Sequence, residues 1–83
     1  MNIRELDVIA LTAPLPDAEM FDGSDGLHIG DRGTVVGVWR ENVAYIVEFF
    51  RDGETVAIED VTSSQVRLVW QHNSATQYKT VNA

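Results

Sequence analysis

The stretch from Gly30 to Val36, which reads Gly-Asp-Arg-Gly-Thr-Val-Val, limits the folds open to this chain more than any other segment. Two glycines three positions apart favour a sharp turn, because glycine adopts backbone angles that other residues avoid. The β-branched residues that follow favour a strand. Gly37 lies inside this strand and predicts a bulge or a close approach of another backbone. A turn that leads into a bent strand is typical of small barrels, which need such bends to close.

Strand-length runs separated by turn residues lie on both sides of this stretch. An Asp-Gly pair at residues 52–53 is a strong hairpin signal, and the Thr and Ser residues between 60 and 65 suit a single 3₁₀ turn. A second, weaker hairpin turn is expected at residues 41–42, where no glycine follows the asparagine. The five predicted strands occupy residues 7–12, 33–40, 44–50, 54–59 and 66–70.

Alternation along two of these strands predicts which side chains share a face. Tyr45, Val47 and Phe49 lie on one face of their strand, and the opposite face carries a glutamate that would be costly to bury. We therefore expect these three side chains to form part of the core. In the following strand, Val56 and Ile58 are expected to point to the same side.

Residues 13–29 are predicted to form a long loop between the first two strands, because turn-forming residues alternate there with apolar ones. Phe21 and Leu27 are expected to fasten this loop to the rest of the domain. Asp22 and Asp25 carry carboxylates of the kind that bind hard cations. Their Asp-Gly-Ser-Asp-Gly segment supplies too few ligands for a calcium loop, so we interpret both as solvated turn residues.

Composition narrows the classes of function. Thirteen acidic and six basic residues give a formal charge of −7, and the basic residues are scattered, which disfavours a nucleic-acid partner. Cysteine is absent and the two histidines lack the spacing of metal ligands, so no metal or cofactor is predicted. No nucleophile elbow or phosphate-binding glycine loop is visible, and we predict that the protein is not an enzyme. The absence of a signal-peptide pattern and of a membrane-length apolar run favours a cytoplasmic protein without membrane contact.

The order of the predicted elements resembles that of the SH3-like barrels, in which a long loop joins the first two strands and a 3₁₀ turn precedes the last. Four segments also resemble a family of short bacterial proteins known only as a domain of unknown function. The resemblance covers about residues 3–69, and its segments are residues 5–11, 29–36, 44–49 and 53–57. It implies a barrel and brings no catalytic residues with it.

The glycine turn is similar as well to the KOW motif of ribosomal and transcription-elongation proteins, and to the small barrel subunit of the photosynthetic NADH dehydrogenase-like complex. The chain departs from the KOW pattern in its charge, because Asp31 and Glu48 stand where an RNA-binding version favours Lys or Arg. The combined prediction is an all-β fold, a five-stranded SH3-like barrel at residues 1–70 with a flexible polar tail at residues 71–83.

The predicted function is that of a non-enzymatic module that binds another protein through the long loop and nearby aromatic residues. The acidic surface favours a basic partner, such as a cognate toxin or a larger complex. Two alternatives stay open: a KOW-like barrel that binds nucleic acid or the ribosome, and an accessory subunit of an enzyme complex. We expect a monomer or a weak homo-oligomer. The predicted partner-binding residues are Phe21, Asp22, Asp25, Leu27, Trp39 and Phe50.

Overall fold

The fold is a single antiparallel sheet, seen in a computed structural model that describes residues 2–72. Its strands, in chain order, are β1 (Val8–Leu11), β2 (Arg32–Arg40), β3 (Ala44–Arg51), β4 (Glu54–Thr62) and β5 (Val66–Trp70). A 3₁₀ turn at Ser63–Gln65 precedes β5. The all-β class, the five strands and the 3₁₀ turn before the last strand are therefore confirmed.

The strand order is β4-β3-β2-β1-β5, which leaves β4 and β5 at the two edges of the sheet. These two strands are joined along the chain by the 3₁₀ turn, but no ladder pairs them within the described residues. The sheet is open, so the predicted SH3-like barrel is not confirmed. The proposed tail at residues 71–83 lies outside the described residues from residue 73 onward. No helix within residues 2–72 has the length and apolar character needed to cross a bilayer.

Two hairpin turns connect β2 to β3 and β3 to β4. Asp52 and Gly53 have φ angles of 52° and 81°, the pair of left-handed conformations that a two-residue type I′ turn requires. The hairpin predicted at this position is therefore present. The other turn, predicted at residues 41–42, spans residues 41–43 instead. Only Asn42 in that turn has a positive φ, of 63°, because no glycine follows it to take a second one.

The core lies on one face of the sheet and is centred on β3. Tyr45, Val47 and Phe49 are fully buried, as the alternation predicted. The buried residues that pair with them on β2 include Gly33, opposite Phe49, and Val35, opposite Val47. The Tyr45 hydroxyl has no hydrogen-bond partner in the described chain, and burial raises the pKa of this phenol above its usual value.

A bulge in β4 overturns the prediction that Val56 and Ile58 share a face. Phe49 pairs with Ala57 while Phe50 pairs with Thr55, so Val56 is an extra residue in the ladder. Ala57 therefore takes the core position next to Phe49 and is fully buried. Ile58, one residue further on, points away from the core and is 46% exposed, whereas Val56 is buried.

A second bulge lies where Gly37 predicted it. The register of β2 against β3 shifts between Val35 and Gly37, which leaves Val36 unpaired and partly exposed. The ladder slips again after Val38, so Trp39 is also an extra residue. These irregularities turn the end of β2 away from the core, and Trp39 is 64% exposed there.

Candidate interaction site

The long loop is held inward by Leu27. Its backbone exchanges two hydrogen bonds with Leu15, at 2.9 and 3.0 Å between nitrogen and oxygen, and its side chain is fully buried. The prediction that Leu27 fastens the loop is confirmed. Its assignment to the partner-binding surface is wrong, because a side chain that fills the core offers no area to another protein.

Arg51, the last residue of β3, clasps the same loop to the sheet. Its guanidinium donates to both carboxylate oxygens of Asp31, with Nη2 at 2.6 Å and Nε at 3.2 Å. It also donates to the Gly26 carbonyl at 3.0 Å and to the Ser24 hydroxyl at 3.2 Å. The guanidinium beside it lowers the pKa of Asp31, and the carboxylate in turn raises the pKa of Arg51.

The aspartates of the loop are engaged in local turns. Asp22 Oδ1 accepts hydrogen bonds from the Ser24 hydroxyl at 2.7 Å and the Ser24 amide at 3.1 Å, which lowers the pKa of Asp22. Asp25 Oδ1 lies 3.1 Å from His28 Nε2 on the exposed side of the loop. In the part of the chain that the structure describes, no three His, Asp or Glu side chains converge as metal ligands would.

An open groove of about 420 Å³ lies between the loop and the β3–β4 hairpin. Phe21 forms one side of it, and the Phe21 amide donates to the Val56 carbonyl at 2.8 Å. The side chain of Phe21 is 60% exposed, so Phe21 fastens the loop by its backbone and not by packing of its ring. The anchor is its backbone, assisted by Glu59, whose carboxylate accepts from the Glu19 amide at 3.2 Å. The groove is lined by Phe21, Asp22, Arg51, Asp52, Glu54, Thr55 and Val56.

Charge in the groove is strongly one-sided. Among the described residues, the groove is lined by three carboxylates, those of Asp22, Asp52 and Glu54, and by a single cation, Arg51. The charge of Arg51 is already paired with Asp31. The side chains of Asp52 and Glu54 make no hydrogen bond within residues 2–72. An exposed aromatic ring beside unpaired carboxylates is an arrangement that attracts a cation.

The structure does not bring the six predicted partner-binding residues together. Phe21 and Asp22 line the groove, whereas Asp25 lies on the loop outside it and Phe50 is half-buried on β3 opposite Arg32. Trp39 lies at the opposite end of the sheet, beside the 41–43 turn. Because β3 has eight residues, its two ends are about 25 Å apart.

Trp39 has a fixed position of its own. Its indole Nε1 donates to Asp60 Oδ1 at 3.0 Å, which spans from β2 to β4 across the outer face of the sheet. Sequence reasoning missed this pair, and it missed Arg51, Asp52 and Glu54 as part of a site. Asp52 and Glu54 flank Gly53 in the predicted hairpin. The acidic residues at this turn and in the long loop were the sequence signal that could have indicated the site.

Comparisons with known proteins place the chain in a family. No curated protein and no solved structure matches it. A family model described as "Domain of unknown function (DUF4926)" matches residues 5–68, which is most of the chain. The resemblance to a short domain of unknown function is confirmed to this extent, while the SH3-like barrel and the bacterial origin are not. This protein belongs to the DUF4926 family.

Proposed function

We propose that this protein is a non-enzymatic interaction module that binds a basic protein partner at the groove between the long loop and the β3–β4 hairpin. One observation carries the proposal: an exposed aromatic side chain, Phe21, lies beside three carboxylates in an open groove. Exposed apolar surface rimmed by charge is characteristic of protein-binding sites, and aromatic residues supply much of the binding energy in such sites.

Net charge supports the same partner class. A formal charge of −7 on 83 residues attracts basic proteins over distances of about a Debye length and speeds their association. The same charge repels the phosphate backbone of nucleic acids, so the KOW-like alternative has no support from the groove. A cognate toxin that this protein neutralises and a larger complex that it joins are the two partner types that we propose.

The architecture supports a binding role as well. Five antiparallel strands, a long first loop and a 3₁₀ turn before β5 follow the element order of SH3-like domains, and we retain that relationship as part of the proposal. The loop is clasped by Arg51 at Asp31, Gly26 and Ser24, so the groove is formed before a partner arrives. A preformed surface loses less conformational entropy on binding than a mobile one.

The test is an affinity capture from lysate of the source cells, compared between wild type and two charge-matched variants. Asp52→Asn with Glu54→Gln removes two charges from the groove, and Asn retains the left-handed conformation required at position 52. Glu5→Gln with Glu41→Gln removes two exposed charges outside the groove.

We expect one basic protein to be retained by wild type and by the Glu5/Glu41 control, and to be lost with the groove variant. Equal retention on all three would contradict the proposal. Recovery of nucleic acid would favour the KOW-like alternative instead, if its affinity for the protein falls steeply as the salt concentration rises. Such a steep dependence is expected because protein contacts to phosphates release bound counterions.

A further inference from the structure

We infer that the groove receives an arginine side chain of the partner, with the guanidinium between the Phe21 ring and the carboxylates of the hairpin. The inference rests on the proposed docking function and names the chemical group that the groove recognises. The groove volume of about 420 Å³ lies in the range of roughly 300–1,000 Å³ that is usual for pockets receiving small ligands, and it suits a long side chain better than a helix.

The charge balance selects a cation. Asp22, Asp52 and Glu54 contribute three negative charges to the lining, and Arg51 is the only cation that residues 2–72 contribute to it. Arg51 points its donors at the loop, since Nε, Nη1 and Nη2 all bond Asp31, Ser24 or Gly26. The charge of Arg51 is therefore compensated by Asp31 at 2.6 Å, and the groove keeps a net attraction for a positive group.

Arginine fits the lining better than lysine does. Its planar guanidinium stacks on an aromatic face and offers paired donors to carboxylates, whereas the lysine ammonium is a strongly hydrated point charge. The Phe21 ring supplies an exposed aromatic face, and the free carboxylates of Asp52 and Glu54 supply acceptors. No other aromatic residue in the described part of the chain lines the groove, so the ring of Phe21 supplies the stacking that favours arginine over lysine.

The backbone that carries the lining is held in place before binding. The Phe21 amide is bonded to Val56, the Asp22 carboxylate to Ser24, and Asp52 lies in a type I′ turn. These restraints come from the loop on one side and from the hairpin on the other. The backbone on both sides of the groove is therefore already ordered when an arginine enters, which lowers the entropic cost of binding.

The experiment is an NMR titration of the full ¹⁵N-labelled chain with three blocked tripeptides, Ac-Gly-Xaa-Gly-NH₂, in which Xaa is arginine, lysine or citrulline. Citrulline has the shape of arginine without its charge. We expect the arginine peptide to shift the amides of residues 21–22 and 52–56 in a saturable manner. Citrulline should bind about tenfold more weakly or worse, since charge-assisted hydrogen bonds are about twice as strong as neutral ones, and lysine should be intermediate.

Variants identify the recognising groups. Phe21→Leu keeps an apolar side chain and removes the ring, so it should reduce the preference for arginine over lysine. Asp52→Asn with Glu54→Gln should weaken arginine and lysine alike, and Glu5→Gln with Glu41→Gln should change neither. Because Phe21 is 60% exposed, its replacement should leave folding intact, which the dispersion of the same spectra reports.

Three results would overturn the inference: no binding of the arginine peptide at the groove, equal binding of arginine and citrulline, or shifts spread over every acidic segment of the surface. The outcome is separable from that of the proposed function. If a protein partner depends on the groove charges but the arginine peptide does not bind there, arginine recognition fails and the docking function stands. If the peptide binds and no protein partner depends on the groove, the docking function fails instead.

Discussion

Strand β3 lies close against β2 at Gly33, and we use this contact to predict the effect of adding one methyl group. In Gly33→Ala the new Cβ would overlap the Val47 side chain and lie 2.9 Å from the Glu48 carbonyl oxygen and 3.1 Å from Phe49 Cα. In Gly37→Ala, four residues along the same strand, the nearest atoms all belong to the Ile46 side chain, with Cδ1 at 3.1 Å.

The atoms that surround each glycine determine how much free energy of unfolding its replacement costs. At Gly33 two of the three contacts are backbone atoms of β3, which cannot move without disturbing the ladder, so we expect the upper end of the roughly 1–3 kcal/mol usual for overpacking. Replacing a strand glycine recovers about 0.5–1 kcal/mol of backbone entropy. The net loss for Gly33→Ala is about 2 kcal/mol. For Gly37→Ala the end of Ile46 can rotate aside, and the free energy of unfolding should change by less than about 0.5 kcal/mol.

Urea unfolding of wild type and both variants tests this difference, provided that the m value stays constant. Thermal unfolding should give a parallel result, because about 2 kcal/mol lowers the Tm of a domain this size by about 8–16 °C. If Gly37→Ala destabilises the protein as much as Gly33→Ala does, the close approach at Gly33 is not the cause and the reasoning is refuted.

Four further predictions concern the loop and the core. Arg51→Gln should lower the free energy of unfolding, measured in urea, by about 1–3 kcal/mol, since it removes charge-assisted hydrogen bonds. It should also speed hydrogen exchange of the loop amides. Unchanged exchange would contradict the role of Arg51 in holding the loop. The pKa of Asp31 is lower in the native state, where the carboxylate binds a proton less readily than in the unfolded chain. Its stabilising effect is therefore present above the unperturbed pKa of 3.8 and is lost as the pH falls through the lower, native pKa. The stability difference between wild type and Asp31→Asn, measured by urea at about pH 6 and about pH 2.5, should therefore shrink in acid, and a constant difference would rule this out. Leu27→Ala should cost about 2–5 kcal/mol in the same assay, whereas a loss under about 1 kcal/mol would place that side chain at the surface. Tyr45→Phe should be neutral or stabilising by about 1 kcal/mol in calorimetry because the buried hydroxyl has no partner in the described chain, and a clear loss would reveal one.

Sequence patterns predicted the parts of this fold that depend on neighbouring residues. The burial of Tyr45, Val47 and Phe49 follows from a side-chain period of two, and the turn at Asp52 and Gly53 follows from the conformations that these residue types accept. Both signals are local and need no knowledge of what packs against the strand.

The candidate site depends on distant residues, which is why it was only partly predicted. The Arg51–Asp31 pair joins positions 20 apart in sequence, and only the folded loop brings them together. Val56 and Ile58 were wrongly expected to share a face, because the bulge at Val56 shifts the ladder by one residue and period-two patterns carry no sign of such a shift. Trp39 was grouped with Phe21 because a sequence does not reveal that they lie at opposite ends of β3.

The contacts that hold the long loop against β4 have a consequence for colloidal behaviour. An edge strand offers unpaired amides and carbonyls to any other chain. Strand β4 is such an edge, and it carries the exposed side chain of Ile58. The loop covers part of that edge, where the Phe21 amide occupies the Val56 carbonyl and Glu59 binds the Glu19 amide. A change that releases the loop therefore uncovers a template for intermolecular strand pairing, so a protein with a broken clasp is expected to aggregate at concentrations where the intact one stays dispersed.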